Sequence, residues 1–227
     1  QNSMADIEHH MLHFLDNHDE QRLASPEFAG SPEKGKPLMV VSATISTSPT
    51  MIYFGQEVGE AGNENGGFGT HSRTSIFDYV GVPNHQRWMN GGKFDGGQLS
   101  QSEKDLRDFY KRLLNFTISS SALMGKYQEI HGLNRYSTEG YYPEVYSYVR
   151  WSDTQKLVVI ANFSAVHTSH FDLKIPANVI AAWKLKDGVY PIKDQLYGKN
   201  STKLQVVNGE GKVQISIAPL ESFIYGL

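Results

Sequence analysis

The sequence contains no cysteine, which excludes disulfide bonds and thiolate metal sites. No apolar run reaches the ~20 residues of a membrane-spanning helix, so no membrane partner is expected. The formal net charge is only −3, which leaves no basic footprint for nucleic acid. With 39% hydrophobic and 20% charged residues, the 227-residue chain has an ordinary globular composition. Its length suits one large domain or two small ones.

A dense polar run follows the first apolar segment of the chain. Residues 11–15 are apolar and predict a short buried strand, and Asp16, Asn17, His18, Asp19 and Glu20 follow directly. In α/β folds the loops at the carboxyl ends of such strands carry the site. Carboxylates and an imidazole at that point suit acid–base or charge-stabilising chemistry. The same residues also suit the start of a helix, where Asp and Asn are frequent N-caps.

Two motifs in the first quarter of the chain carry a family resemblance. Residues 14–19 read F-L-D-N-H-D, which resembles the fourth conserved region of the α-amylase family, glycoside hydrolase family 13. Residues 48–57 resemble its last barrel strand, usually written G-x-P-x-x-Y-Y-G-x-E, although Phe54 replaces the second tyrosine. The motifs occur in the family order and at about its usual separation. The resemblance implies the C-terminal part of such an enzyme, with the rest of its barrel upstream of Gln1.

The expected fold class is α+β. The resemblance implies that residues 1–130 are the last two βα units of a TIM (β/α)8 barrel and that residues 131–227 are an antiparallel β-sandwich. Predicted strands at 11–15 and 51–54, with a helix at 38–46 whose first turn holds Pro37, would form a parallel βαβ unit. A capping box at Ser100 and Glu103 begins a predicted helix that ends at Ser119.

The second half of the chain changes to a period of two from about Arg135. Turn signals separate short segments of alternating polarity, which is typical of a sandwich. The predicted strands are 145–151, 156–163, 171–175, 183–185, 204–207, 213–217 and 223–225. Between the halves, residues 55–98 form a long glycine-rich connection that is either part of the site face or a plain surface excursion. Within it, residues 73–79 resemble a segment that follows the last barrel strand in some bacterial amylase relatives.

The resemblance implies a role for each residue of the first motif. Asp19 matches the family's transition-state-stabilising aspartate, and His18 matches a histidine that contacts the same sugar. An imidazole N–H and a carboxylate can hold neighbouring hydroxyls while the ring flattens towards the transition state. Asn17 is grouped with these substrate-binding residues, and Asp16 is expected to orient them.

Three further residues complete the predicted site. Arg22 is assigned to substrate binding; it could also pair with a carboxylate and keep it ionised, or it could be a solvated loop arginine. Tyr53 and Glu57 match the second motif and are expected to pack and to orient other groups. No metal ligand is assigned.

The predicted parent enzyme is a retaining glycoside hydrolase that acts on α-glucans or maltooligosaccharides. Such enzymes need a carboxylate nucleophile and a carboxylic acid/base. The family's regions for these groups, resembling G-x-R-x-D and a following glutamate region, do not occur in the sequence, so the chain alone is expected to be inactive. No cofactor is expected in it, and calcium stays open for the full-length enzyme. The parent is expected to be periplasmic or secreted, with a signal peptide outside this sequence.

Other readings of the sequence stay open beside this one. A carbohydrate-binding module without hydrolytic activity would use Tyr141, Tyr142, Trp151 and Trp183. A metalloenzyme would use His9, His10, His13 and His18, but adjacent strand residues point to opposite faces. A serine hydrolase is disfavoured by the lack of a G-x-S-x-G elbow. Uncovered strand edges of a partial barrel also predict self-association of the chain.

Overall fold

The computed structural model describes residues 7–63, 73–74, 76 and 81–227, and the chain divides into two compact units. The first unit comprises Gln1–Ala43 and Ser48–Leu114, and the second comprises Thr44–Thr47 and Asn115–Leu227. Each unit is described by itself below. The assignment of residues 1–130 to a barrel and of 131–227 to a separate domain stays a prediction.

The first unit contains one parallel bridge and three helices among its described residues. Helix α1 spans Pro32–Thr44, α2 spans Pro83–Met89, and α3 begins in this unit and spans Gln101–Ser119. Short 3₁₀ turns occur at Glu8–His10, Gln56–Val58 and Asn90–Gly92. The long predicted connection therefore contains helix α2. Its glycine cluster at 65–69 and most of the motif at 73–79 lie outside the described residues.

The two predicted strands of the first unit are reduced to a single parallel bridge between His13 and Thr50. His13 N–H donates to Pro49 O at 2.9 Å, and Met51 N–H donates to His13 O at 2.8 Å. The prediction of a parallel βα-type connection is therefore confirmed, whereas the predicted strand lengths are wrong. Parallel strands are stable when both faces and both edges are covered. Here Leu12 and Phe14 stay 47% and 41% exposed, so little burial supports a longer ladder.

The helices differ from prediction mainly at their first residues. Helix α1 begins at Pro32 rather than near Leu38, so Pro32 occupies the first turn and Pro37 lies inside the helix. Helix α3 begins two residues before Glu103, and its predicted capping box is confirmed. Ser100 N–H donates to Glu103 Oε2 at 2.7 Å, and Glu103 N–H donates to Ser100 Oγ at 3.4 Å. The predicted apolar stripe of α3 is buried at Leu106, Phe109, Tyr110 and Leu113.

The second unit is built on one eight-stranded antiparallel sheet. Its strand order is β1-β2-β3-β8-β5-β6-β7-β4. The strands are β1 Lys126–Glu129, β2 Val145–Trp151, β3 Lys156–Asn162, β4 Ser169–Ile175, β5 Gly188–Asp194, β6 Ser201–Val207, β7 Glu210–Ile217 and β8 Ser222–Gly226. Two short helices, α4 (His131–Ser137) and α5 (Ala177–Ala182), accompany the sheet. The predicted antiparallel sandwich is confirmed.

The core of this sheet collects the alternate residues that the period of two predicts. In β7, for example, Val213, Ile215 and Ile217 are buried while Lys212 and Gln214 are exposed. Each buried side chain of this size contributes roughly 1.5–3 kcal/mol to folding. Among the described residues, no helix has the length and apolar character to cross a membrane.

One predicted strand, 183–185, is wrong because these residues end a helix. Trp183 N–H donates to Val179 O at 2.8 Å, and the Trp183 ring is buried in the core. Lys184 then takes a left-handed backbone conformation, with φ at 56°, and Leu185 N–H returns to Ile180 O. These hydrogen bonds are typical of a helix C-terminus. A short apolar run in the sequence does not show whether it ends a helix or forms a strand.

Candidate functional site

The residues after the His13 bridge turn sharply, and Asn17 holds the turn. Asn17 Oδ1 accepts hydrogen bonds from Asp19 N–H at 2.7 Å and from Glu20 N–H at 2.9 Å. An Asn side chain that binds backbone amides two and three residues ahead closes a local turn and competes with helix formation. Asn17 therefore orients the segment that carries His18 and Asp19, and the helix alternative for residues 16–20 is not what forms.

His18 and Asp19 lie together on the surface at this turn. His18 Nε2 is 3.3 Å from Asp19 Oδ2, and the two side chains are 53% and 70% exposed. Arg73 approaches the other carboxylate oxygen, with its Nη2 3.9 Å from Asp19 Oδ1. An exposed imidazole and an exposed carboxylate thus lie beside a guanidinium whose side chain is 25% exposed. This chemistry offers donors and acceptors to a polyhydroxylated ligand, with negative charge available for a developing cation.

Beneath this exposed cluster lies an ion pair between Asp16 and Arg22, and both side chains are fully buried. Arg22 Nε is 3.5 Å from Asp16 Oδ2, which also accepts Leu23 N–H at 2.9 Å. Burial raises the pKa of Asp16, and the Arg22 charge and the Leu23 amide oppose that rise. The smaller influence of the Glu57 charge also raises this pKa. The ion pair links Asp16, which precedes the turn, to Arg22, which follows it.

Arg22 links the first motif to the second. Its Nη2 donates to Phe54 O at 2.7 Å, and its guanidinium lies 4.7 Å from the centre of the Tyr53 ring. Gly55 has φ at +84°, and a Cβ there would approach Arg22 Nη2 to 3.2 Å. The glycine of the second motif is therefore required both by its backbone conformation and by the space that the arginine occupies.

The remaining second-motif residues hold the following loop and the adjacent helix. The Tyr53 hydroxyl donates to Thr74 O at 3.3 Å, next to Arg73. Burial raises the pKa of Tyr53, so the phenol stays a neutral donor. Gln56, which the motif leaves variable, is buried, and its Nε2 donates to the Tyr110 hydroxyl at 3.1 Å. Glu57 lies half-buried in the intervening 3₁₀ turn.

The structure thus groups the seven predicted residues in two sets. His18 and Asp19 are exposed and adjacent, with Asn17 beneath them as the hydrogen-bond acceptor of the turn. Asp16, Arg22, Tyr53 and Glu57 lie behind the turn. Because Arg22 is fully buried, direct contact with a ligand would require it to leave Asp16 and Phe54. The interpretation of Arg22 as a solvated loop residue is wrong, and its carboxylate partner is Asp16.

Two residues of this region were not singled out from the sequence. Arg73 contacts Asp19, and only its membership of the 73–79 motif pointed to it. Glu60 is buried and its Oε2 accepts Asn84 N–H at 2.9 Å and His85 N–H at 3.3 Å. Its negative charge stabilises the first turn of α2. A single acidic residue in a glycine-rich connection gives no sequence signal for such a distant cap.

Evidence for the alternative sites is limited in the part of the chain that the structure describes. There, no group of three or more His, Asp or Glu residues is arranged to hold a metal ion. Of the aromatic residues proposed for a carbohydrate-binding module, Tyr141 and Trp183 belong to the core and Trp151 packs against it. Tyr142 is 47% exposed and keeps that reading open.

Solved structures of other proteins share the fold of this chain, although its sequence matches no known family. No protein-family model and no curated protein matches the sequence. Among solved structures, the maltogenic α-amylase AmyB from Thermotoga neapolitana matches 100% of this chain and 44% of its own, with a TM-score of 0.63 and 15% identity. AmyP in complex with maltotriose matches 94% of this chain and 40% of its own, with a TM-score of 0.58 and 25% identity.

A γ-cyclodextrin glucanotransferase from Bacillus clarkii matches 100% of this chain and 28% of its own, with a TM-score of 0.59 and 14% identity. The chain spans less than half the length of each of these three proteins. The single parallel bridge with its connecting helix and the antiparallel sheet both lie within the matched region. The chain therefore has the fold of the C-terminal part of α-amylase-family enzymes, and its antiparallel sheet corresponds to a β-sandwich C-terminal domain.

Proposed function

We propose that this chain is the C-terminal part of an α-amylase-like glycoside hydrolase that acts on α-glucans or maltooligosaccharides by a retaining mechanism. In this proposal Asp19 stabilises the transition state, and His18 binds the sugar beside the scissile bond. The observation that carries it is the exposed His18–Asp19 pair, 3.3 Å apart, at the end of a parallel bridge in a fold of this family. AmyP, which shares the fold, was solved with maltotriose bound.

The chemistry expected of the pair follows from charge development at the sugar ring. A retaining glycosidase passes through an oxocarbenium-like state, and a carboxylate close to that positive charge lowers its energy. The His18 imidazole can donate one N–H to a ring hydroxyl, while Asp19 accepts from its neighbour. These contacts strengthen as the ring flattens, so they favour the transition state over the substrate. We assign Asn17, Asp16 and Arg22 to holding the pair in place.

The nucleophile and the acid/base belong, in this proposal, to a preceding barrel segment. Residues 1–130 would complete that barrel, and residues 131–227 would form the C-terminal domain. Apolar side chains beside the bridge are the surface that this segment would cover: Met11, Leu12 and Phe14 are 39–47% exposed. The chain alone would then self-associate through the same surface, and a strictly monomeric mass in light scattering would count against it. Calcium and a periplasmic or secreted location are proposed for the complete enzyme only.

Mutation of Asp19 in the polypeptide as its gene encodes it tests the proposal. We expect Asp19→Asn to lower kcat on maltoheptaose by about 10²–10³-fold or more, the scale for loss of one preorganised electrostatic contact. Asp153→Asn, in the exposed turn between β2 and β3, is the matched control and should retain full activity. The purified 227-residue chain should release no reducing sugar. An unchanged kcat in Asp19→Asn, or hydrolysis by the chain alone, would refute the assignment.

A further inference from the structure

The second unit carries an open groove that the proposed catalytic role does not use. Its volume is about 1000 Å³, and it is lined mainly by polar side chains of β4, β6 and β7 together with residues 137–140. An adjoining depression of about 600 Å³ shares Asp172, Thr202, Lys212 and Gln214 with it. The groove therefore continues across three neighbouring strands. Every lining residue belongs to the described part of the second unit.

The segment at residues 137–140 is fixed against the sheet at both of its ends. Gly140 has φ at +78°, and a Cβ there would lie 2.1 Å from His170 O in β4, so the segment approaches the strand backbone more closely than any side chain allows. At the other end, Lys174 Nζ donates to Ser137 Oγ at 3.1 Å. A binding surface formed by such a segment is preorganised, which reduces the entropy lost on binding.

The charges in the groove are largely matched, which favours a neutral ligand. Lys212 Nζ is 3.1 Å from Asp172 Oδ2, and Glu221 Oε2 accepts Ala218 N–H at 2.8 Å. In total two lysines face three carboxylates, with Glu139 the third. The other polar lining groups are mostly hydroxyls and amides, which can each donate and accept. These groups suit a polyhydroxylated chain better than an anion or a cation: Thr138, Asn200, Ser201, Thr202, Gln214 and Ser216.

Two exposed tyrosines flank the same segment. Tyr136 is 85% exposed and Tyr142 is 47% exposed. The Arg135 guanidinium lies 5.8 Å from the centre of the Tyr136 ring, and the His167 ring lies 5.8 Å from the Tyr142 ring at 34°. Each tyrosine is thus supported by a neighbouring side chain and still presents ring surface to solvent. Tyr136 precedes and Tyr142 follows the groove-lining residues 137–140, although neither tyrosine is itself part of the lining. Exposed aromatic rings and hydroxyl-rich side chains match the two sides of a sugar ring, one apolar and one polar.

We propose that this groove, with Tyr136 and Tyr142, is a second carbohydrate-binding site that takes a linear α-glucan. The choice of an α-glucan rests on the proposed function, whereas the groove, its neutrality and its tyrosines do not. The site would hold a glucan chain on the second unit, through residues other than those assigned to catalysis.

Isothermal titration of the 227-residue chain with maltoheptaose tests this site. We expect saturable binding that the double variant Tyr136→Ala/Tyr142→Ala weakens at least tenfold and that Gln214→Ala weakens several-fold. Phe28→Ala is the matched control, because Phe28 is 48% exposed but lies in the first unit. Phe28→Ala should leave the affinity unchanged. Circular dichroism of each variant establishes that it is folded.

The outcomes separate this site from the proposed catalytic role. Absence of binding at millimolar maltoheptaose would overturn the site. Binding that Asp19→Asn abolishes and the tyrosine variant leaves intact would also overturn it, while supporting the proposed function. Equal binding of cellohexaose would overturn the choice of an α-glucan. Loss of binding in the tyrosine variant, together with full hydrolytic activity of Asp19→Asn in the encoded polypeptide, would support the groove and reject the proposed function.

Discussion

Removal of the buried Arg22 charge should be among the most damaging single substitutions in the first unit. Arg22 and Asp16 are both fully buried, and their closest atoms are 3.5 Å apart. The substitution Arg22→Met keeps much of the side-chain volume but leaves the Asp16 carboxylate without its counter-charge. It also leaves Phe54 O without the donor that now lies at 2.7 Å. Loss of one partner of a buried ion pair costs about 3–5 kcal/mol of unfolding free energy.

The destabilisation of this variant should depend on pH, and its sign follows from Asp16. Burial raises the pKa of Asp16 above 3.8, and Arg22 opposes the rise. Without Arg22 the pKa of Asp16 in the folded chain rises further. At a pH between the unfolded and the folded pKa, the folded variant therefore binds a proton that the unfolded chain does not. Its stability should therefore increase, relative to the wild-type chain, as the pH falls from neutral towards 3.8. Asp16→Asn in the same chain removes the buried charge while keeping an oxygen for Leu23 N–H, and should recover about 1–3 kcal/mol.

Urea denaturation combined with amide hydrogen exchange measures this effect. The chain has two compact units, so a single global transition does not report the stability of the first unit alone. The exchange rate of the Leu23 amide gives the free energy of local opening at the ion pair. Lys212→Met is the control, since its pair with Asp172 is about half exposed and should contribute less than ~1 kcal/mol. A loss below ~1 kcal/mol in Arg22→Met, or no recovery in the double variant, would refute the role of the buried pair.

Two further predictions concern a helix cap and a close backbone approach. Burial opposes ionisation of Glu103, yet hydrogen bonds from Arg87 and Ser100 hold its pKa below 4.5, so Glu103→Gln should cost about 1 kcal/mol in neutral urea titrations. That difference should shrink as the pH falls below 4.5, and a constant difference would contradict it. Gly140→Ala should cost more than ~2 kcal/mol in thermal melts because of the clash with His170 O, whereas Gly209→Ala, with φ at +75° but open space, should cost only ~1 kcal/mol. Equal costs would contradict the clash.

Local signals predicted helix α3 and most strands of the antiparallel sheet well, whereas they missed the first turns of α1. The capping box at Ser100 fixed the start of α3 to within two residues, because reciprocal side-chain and backbone hydrogen bonds are encoded by two residues three positions apart. The predicted strand 145–151 has the observed bounds of β2, although Ser147, Tyr148, Val149 and Arg150 are all buried there. Clean separation of polar and apolar residues onto two faces occurs in β7, most of which was also predicted.

The missed strands lack such signals for identifiable reasons. Strand β5 contains Pro191, which normally argues against a strand. In the structure β8 pairs with β5 only at Lys193 and Asp194, so no partner strand is bonded on that side at Pro191. Strand β1 is four residues long, and none of its residues is fully buried. A short edge strand without an apolar face leaves no periodicity to detect.

In the candidate site, the sequence predicted the residues of the turn but not the side chains that pack behind it. The F-L-D-N-H-D motif correctly located an exposed turn, and the resemblance supplied the expected roles of His18 and Asp19. The partner of Arg22 could not be read from the sequence, because several carboxylates lie within reach of the same loop. Which of them is buried depends on how the second motif packs behind the turn, through Tyr53 and the carbonyl of Phe54.

A crystal structure of the encoded polypeptide carrying Asp19→Asn, with maltotriose bound, tests the central claim most directly. The account predicts a glucose ring whose hydroxyls lie within about 3.2 Å of His18 Nε2 and of the residue 19 side chain. Asn17 Oδ1 should still accept the backbone amides of residues 19 and 20. Maltotriose bound elsewhere, with its nearest oxygen more than ~6 Å from both side chains, would contradict the account.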